Sequence, residues 1–212
     1  MKNTIIFFLL IFILASCHKD PDMSKLDSDF VVYTDHDSET NFSSFSTFYI
    51  PDSVLVISNY EKPRYWTEKE AEPIISTLVH SMESRGYTRT YDKGNTDLGL
   101  QASYVESVEY FTNWYDNGYW WWGYPGYWGP DYWGSYWNGW YYPYPVYYSY
   151  SVGSLLVEMT NPLVPSPHTI NKLPVVWTAY IGGLLSGSNK IDMGRSVNAI
   201  EQAFVQSPYV RK

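Results

Sequence analysis

Apolar positions along the chain repeat with two periods. "TDLGLQASYVESVEYF" alternates Leu98, Leu100, Ala102 and Tyr104 on one face, the period-two pattern of a half-buried strand. "VGSLLVEMT" alternates Leu155, Val157 and Met159, and "LPVVWTAYIGGL" alternates Val175, Trp177, Ala179 and Ile181. The Pro-rich stretch "NPLVPSPH" joins these two as a long hairpin loop. Asp29–Tyr33 and Phe45–Ile50 read as shorter strands, the second stopped by Pro51. Two segments change to the helical period. In "TEKEAEPIISTLVHSMESRGY", Ala71, Ile74, Ile75, Leu78 and Met82 form one stripe. Thr67 and Glu70 have capping-box spacing, and Gly86 fits a left-handed C-terminal stop. Pro73 removes one helix bond and moves the expected regular start towards Glu72. The last helix places Val197, Ile200 and Phe204 on one face, with Pro208 closing it. The order is strand, strand, helix, three strands, helix. It predicts an α+β two-layer sandwich: a mainly antiparallel five-stranded sheet with two helices on one face. Residues 29–212 form this single domain.

Residues of about 112–148 break both periods. "WYDNGYWWWGYPGYWGPDYWGSYWNGWYYPYPVYYSY" holds eight of the ten tryptophans, interrupted repeatedly by Gly and Pro. No regular strand or helix runs through it. The strands and helices elsewhere already supply a core, so the tract is not needed to fill one. A loop this long is usually functional or disordered, yet disordered segments are poor in aromatics. Four uses compete. The tract folds back on its own rings and the sheet edge, with self-association. It binds envelope glycans, stacking sugar faces on rings while Asn113, Asp116, Asn117, Asp131 and Asn138 bond hydroxyls. It dips into a membrane interface, where Trp and Tyr settle well. It stacks on single-stranded nucleic acid, which also demands a cationic groove. No Lys or Arg occurs between Gly94 and Asn171, so nucleic acid is excluded as a partner. The candidate ligand-binding residues are Trp114, Tyr119, Trp120, Trp121, Trp122, Trp128, Trp133, Trp137 and Trp140.

The front end adds a location. Lys2 precedes an apolar run from Ile5 to Leu14, too short to span a bilayer and right for a signal-peptide core. The run ends in Leu14-Ala15-Ser16-Cys17, which resembles the lipobox of bacterial lipoproteins. Residues 1–16 are then a signal peptide, and Cys17 is lipidated and tethered through residues 17–28. Acyl chains contribute about 0.8 kcal/mol per buried methylene, so several together anchor stably. His18 follows Cys17 where an inner-membrane retention signal of some lineages has Asp. The expected place is the outer membrane, facing the periplasm or the surface. Cys17 is the only cysteine, so no disulfide braces the domain.

Charge and motifs narrow the chemistry. A formal charge of -8 argues against nucleic acid and anionic headgroups as partners. Asp35, Asp37 and Glu39 begin like a calcium loop, but Thr40 and Ser46 stand where that loop needs Gly and Glu, so a solvated turn is expected. His18, His36, His80 and His168 have no metal spacing, and His80 reads as structural or solvated. The chain has no GxxxxGK[ST], HExxH or GxSxG motif; "IGGLLSGSNK" reads as a turn. Glu158 on one strand with Glu106 or Glu109 on another makes a carboxylate pair sterically conceivable, though solvent-facing glutamates are the commoner explanation. The expectation is a non-catalytic protein with no cofactor and no metal; the alternative is an envelope glycan-binding module or a glycan-acting enzyme.

Several segments together resemble a family of secreted bacterial lipoproteins, the domain-of-unknown-function family numbered 4136. They are "NFSSFSTFYIP", "SMESRGYTRT", "TDLGLQASY", "VGSLLVEM…VVWTAYIGG" and "SVNAIEQAFVQSPY", within residues 29–208. Members often carry a Gly- and aromatic-rich insert between the third and fourth strands, where the tract stands here. They usually have a basic or small residue after the hairpin tryptophan; here Thr178 follows Trp177, which reads as a packing residue. The resemblance implies fold and envelope location. It implies no activity and carries no functional residues over. The expected partners are the membrane through Cys17, an envelope glycan or protein, and a second copy of the chain.

Overall fold

The computed structural model describes residues 30–58, 63–107, 140–146, 151–163, 171–186 and 190–212. Nine strands and two α-helices occur among them. The elements are β1 (Val31–His36), β2 (Thr47–Tyr49), β3 (Ser53–Ile57), β4 (Arg64–Thr67), α1 (Glu68–Glu83), β5 (Thr88–Arg89), β6 (Leu98–Val105), β7 (Trp140–Tyr141), β8 (Ser154–Thr160), β9 (Leu173–Gly182) and α2 (Met193–Gln206). The architecture is α+β, as the patterning predicts. The sheet differs from the prediction in size and sense. Its path is β1-β9-β8-β6-β2-β5, with β3 on β6, β4 on β3 and β7 on β9. The run β1-β9-β8-β6 is antiparallel, but β2 and β3 lie parallel to β6, and β7 lies parallel to β9. The sheet is therefore mixed rather than mainly antiparallel and five-stranded. The physical reason is α1, which connects β3–β4 to β5–β6. Parallel neighbours need such a crossover.

The expected stop at Pro51 is real but local. β2 pairs with Leu98 and Gly99, and β3 resumes on the same edge of β6 at Ser103–Val105. Two short strands thus do the work of one interrupted strand. The Asp97 carboxylate anchors the start of β2, accepting from the Ser46 and Thr47 amides at 2.8 and 2.9 Å. Desolvation opposes its charge, but these bonds outweigh it and hold the carboxyl below the usual range.

α1 begins at Glu68, not near Glu72, and Pro73 sits inside it. One missing bond is tolerated because Ala71, Ile74, Leu78 and Met82 are all buried. Thr67 holds the N-cap position without a side-chain cap bond. At the other end Gly86 has φ +94°, and the Tyr87 amide returns to the Met82 carbonyl at 3.3 Å, the Schellman closure the sequence predicts. In α2 the buried stripe is Ser196, Ala199, Ile200, Ala203 and Phe204; Val197 lies at its margin.

Both helices pack into one core with the same face of the sheet. Leu98, Leu100, Ala102 and Tyr104 of β6 and Leu155, Val157 and Met159 of β8 belong to it, with Trp177, Ala179 and Ile181 of β9. The predicted alternation holds except at Val175. A bulge pairs Met159 with Trp177 and Thr160 with Val175, so Val176 takes the core place instead. Trp177 is fully buried, and its indole donates to Ser207 Oγ at 2.8 Å. Arg85, beyond α1, donates to the carbonyls of Phe204, Ser207 and Val210. It caps α2 and fixes the C-terminal tail. Burial lowers the pKa of its guanidinium.

Candidate functional site

The strands β6, β8 and β9 are not half-buried, as alternation alone suggests. Nearly every residue of all three is buried, on both faces. The face away from the helices is polar at its centre. Asp35 on β1, Thr178 on β9, Glu158 on β8 and Gln101 on β6 are successive cross-strand partners. Strands lie about 4.8 Å apart, so these four side chains make a row about 14 Å long across the sheet. Thr178 and Glu158 are 0% exposed and Gln101 4%.

The row has a defined set of partners. Tyr33 donates to Asp35 Oδ2 at 3.0 Å. Gln101 Nε2 donates to Ser103 Oγ at 3.0 Å, while its Oε1 has no hydrogen-bond partner among the described residues. Tyr180, on the next rung, shares a hydrogen bond of 2.9 Å with Ser151. A buried carboxylate is costly unless bonded, and Glu158 Oε1 accepts from the Tyr142 hydroxyl. That hydroxyl belongs to the end of the aromatic tract. Just before it, Trp140 and Tyr141 form β7, in parallel register with Leu173 and Pro174 of β9. Trp140 is 4% exposed, and Tyr142 meets Tyr144 edge-on at 5.8 Å between ring centroids.

Of the sequence candidates, Trp140 is thus built into the sheet, paired with the start of β9. Trp114, Tyr119, Trp120, Trp121, Trp122, Trp128, Trp133, Trp137 and Cys17 lie outside the described residues. Most of the expected insert, and the expected signal peptide and tether, do as well. Glu158 is buried, not solvent-facing as the sequence suggested. It forms no pair with Glu106, which lies five residues, about 17 Å, along β6 from the row. Glu106 binds Arg64 at 2.8 Å at the surface instead, and Glu109 is outside the described residues. Asp37 accepts from the Glu39 amide and the Thr40 hydroxyl, closing a turn on itself. His80 is exposed on α1. Among the described residues no group of three His, Cys, Asp or Glu side chains is placed to hold a metal ion, and no helix is long and apolar enough to cross a membrane.

The polar row escaped the sequence reading. Gln101, Glu158 and Thr178 occupy the "polar" positions of alternating strands, which normally face water. The signal available was the neutral, small character of their neighbours, Ser103 and Thr160, where a solvated face would carry Lys and Glu.

A family model described as a domain of unknown function, DUF4136, matches residues 32–209. A crystal structure of a DUF4136 family protein from Bacteroides thetaiotaomicron VPI-5482 is 48% identical. It covers 87% of this chain and 99% of its own, with a TM-score of 0.77. A PelC dodecamer from Paraburkholderia phytofirmans is 12% identical over 86% of this chain and 99% of its own, with a TM-score of 0.37. No curated protein matches the chain.

Proposed function

The chain belongs to the DUF4136 family, and from that premise we propose that it is a lipid-anchored, non-catalytic protein of the bacterial cell envelope whose aromatic insert binds or associates. The observation that carries the proposal is the attachment of the insert's C-terminal end. Trp140 and Tyr141 pair with β9, and Tyr142 bonds the buried Glu158. The end of the tract fixed this way is part of the domain's architecture, and a Trp- and Tyr-rich sequence suits recognition because such rings lose little entropy on binding. The anchoring half rests on Lys2, the apolar run and the Leu14-Ala15-Ser16-Cys17 lipobox. It is tested by palmitate incorporation and membrane fractionation in bacteria: the wild-type chain labels and pellets, and Cys17→Ala does neither. Labelling of Cys17→Ala would refute the lipidation site. The association half is tested by sedimentation velocity with and without residues 113–139; a monomer at every concentration, for both versions, removes self-association.

A second reading is a glycan-binding module. It is favoured by the half-buried rings of Tyr141 and Tyr142, which are partly open to solvent where the tract meets the sheet. Those rings can stack on sugar faces, while the insert's Asn113, Asp116, Asn117, Asp131 and Asn138 would bond hydroxyls. Sugars are held by this combination of stacked apolar faces and bonded hydroxyls.

A further inference from the structure

A groove of about 710 Å³ runs along α1, on the opposite side of the sheet from the polar row. Its α1 wall carries Glu68, Glu72, Ile75, Val79 and Glu83, residues that share one side of the helix. The wall is about 23 Å long at 1.5 Å per residue. The facing wall holds Arg89 of β5, bonded to Asp52 at 2.5 Å and to the Ile50 carbonyl at 3.0 Å. Among the described residues β5 ends the sheet path and pairs only with β2. The Thr88 and Thr90 amides bond the Ser46 and Phe48 carbonyls, so the Arg89 backbone amide and carbonyl point away from β2, to an edge that no other described strand pairs with.

We propose that this groove docks a cationic, partly apolar peptide segment of a partner protein, lying extended along the β5 edge. Charge identifies the occupant. Arg89 neutralises Asp52, while Glu68, Glu72 and Glu83 form no salt bridge among the described residues. Lys69 and His80 stand on the same helix, but the carboxylates outnumber them. Glu68 and Glu72 repel at i,i+4 spacing, and Glu83 opposes the helix dipole in the last turn. A basic segment relieves both costs. Ile75 and Val79 supply the apolar contact, and the Arg89 backbone supplies ladder bonds, as in strand addition to a sheet edge.

The test is fluorescence anisotropy of a labelled Lys-Val-Lys-Val-Lys-Val-Lys peptide with the full chain. Saturable binding is expected, with slowed hydrogen exchange at residues 88–90. Glu72→Lys with Glu83→Lys should weaken it about tenfold or more, while the charge-matched pair Glu39→Lys with Glu201→Lys changes it by about twofold at most. If the groove pair fails to fold, Ser76→Trp blocks the same wall and should abolish binding. Equal weakening by both charge pairs, equal binding of the Glu-Val-Glu-Val-Glu-Val-Glu peptide, or no saturable binding overturns the proposal.

Discussion

Replacing Arg85 with Met should cost about 3 kcal/mol of stability. The guanidinium donates to three carbonyls, those of Phe204, Ser207 and Val210. These belong to the last turn of α2 and the tail after it, where carbonyls lack helical partners. Ser207 and Val210 are themselves 0% exposed, so water cannot fully replace the lost donors. A hydrogen bond from a charged donor contributes about 1.5–3 kcal/mol. Arg85 is only partly buried, so solvent screening brings the sum of three well below their product. Met keeps the aliphatic stem, so most of the packing survives and the difference reports the bonds. Lys places one compact ammonium where the fork reached three acceptors, so Arg85→Lys should lose about half as much. In a chain of this size each kcal/mol moves Tm by about 2–4 °C, giving about 6–12 °C for Arg85→Met. Urea unfolding gives the free energy. Native-state hydrogen exchange should show faster exchange at Val210 and Lys212, whose amides bond the Ser207 and Arg85 carbonyls. A stability loss below about 0.5 kcal/mol would refute the capping argument, because ordinary surface substitutions stay within that range.

Gly153→Ala should destabilise by about 2–4 kcal/mol. Gly153 has φ +79°, and a Cβ there would stand 2.2 Å from Leu185 Cγ; a urea midpoint equal to wild type would contradict the packing. Trp177→Phe removes a fully buried indole and its bond to Ser207, so a loss of about 2–3 kcal/mol is expected by urea unfolding. Tyr87 is pushed up to about 12 by burial, and its hydroxyl donates to the Phe42 carbonyl at 3.1 Å. A raised folded pKa means this contribution is complete below about pH 10 and is lost as pH rises towards 12. Tyr87→Phe should therefore flatten the fall in stability over that window. It should not remove it, because Tyr65, Tyr104 and Tyr209 are raised too. An unchanged slope would exclude Tyr87 as a contributor.

The helical core was legible because its residues obey one period each. Leu98 to Tyr104, Leu155 to Met159 and the α1 stripe all face the core as their spacing predicts. Two things were not legible. β3 follows Pro51, and β4 is the short segment that ends at Thr67. Pairing with β6 and with each other holds them as strands, a tertiary effect that local pattern does not carry. The mixed sense of the sheet was readable in principle, since a helix lies between strands that end up side by side. The second face was hidden for a different reason. Gln101, Glu158 and Thr178 look like solvated positions, and only Tyr142 and the cross-strand row reveal them as buried. The sequence also placed the whole stretch of about 112–148 outside regular structure, whereas Trp140 and Tyr141 are a strand. A deletion that tests the insert must therefore stop at residue 139, or it removes part of the sheet.

The central claim is that the aromatic insert is a recognition surface. Its most direct test is tryptophan fluorescence of the Cys17→Ser chain, from residue 17 onward. The chain is titrated in parallel with envelope polysaccharides, peptidoglycan fragments and lipid vesicles, beside a version lacking residues 113–139. The account predicts a saturable shift with one of these, or with increasing protein concentration, that is absent from the shortened chain. No shift under any condition, with equal stability of the two versions, would contradict it.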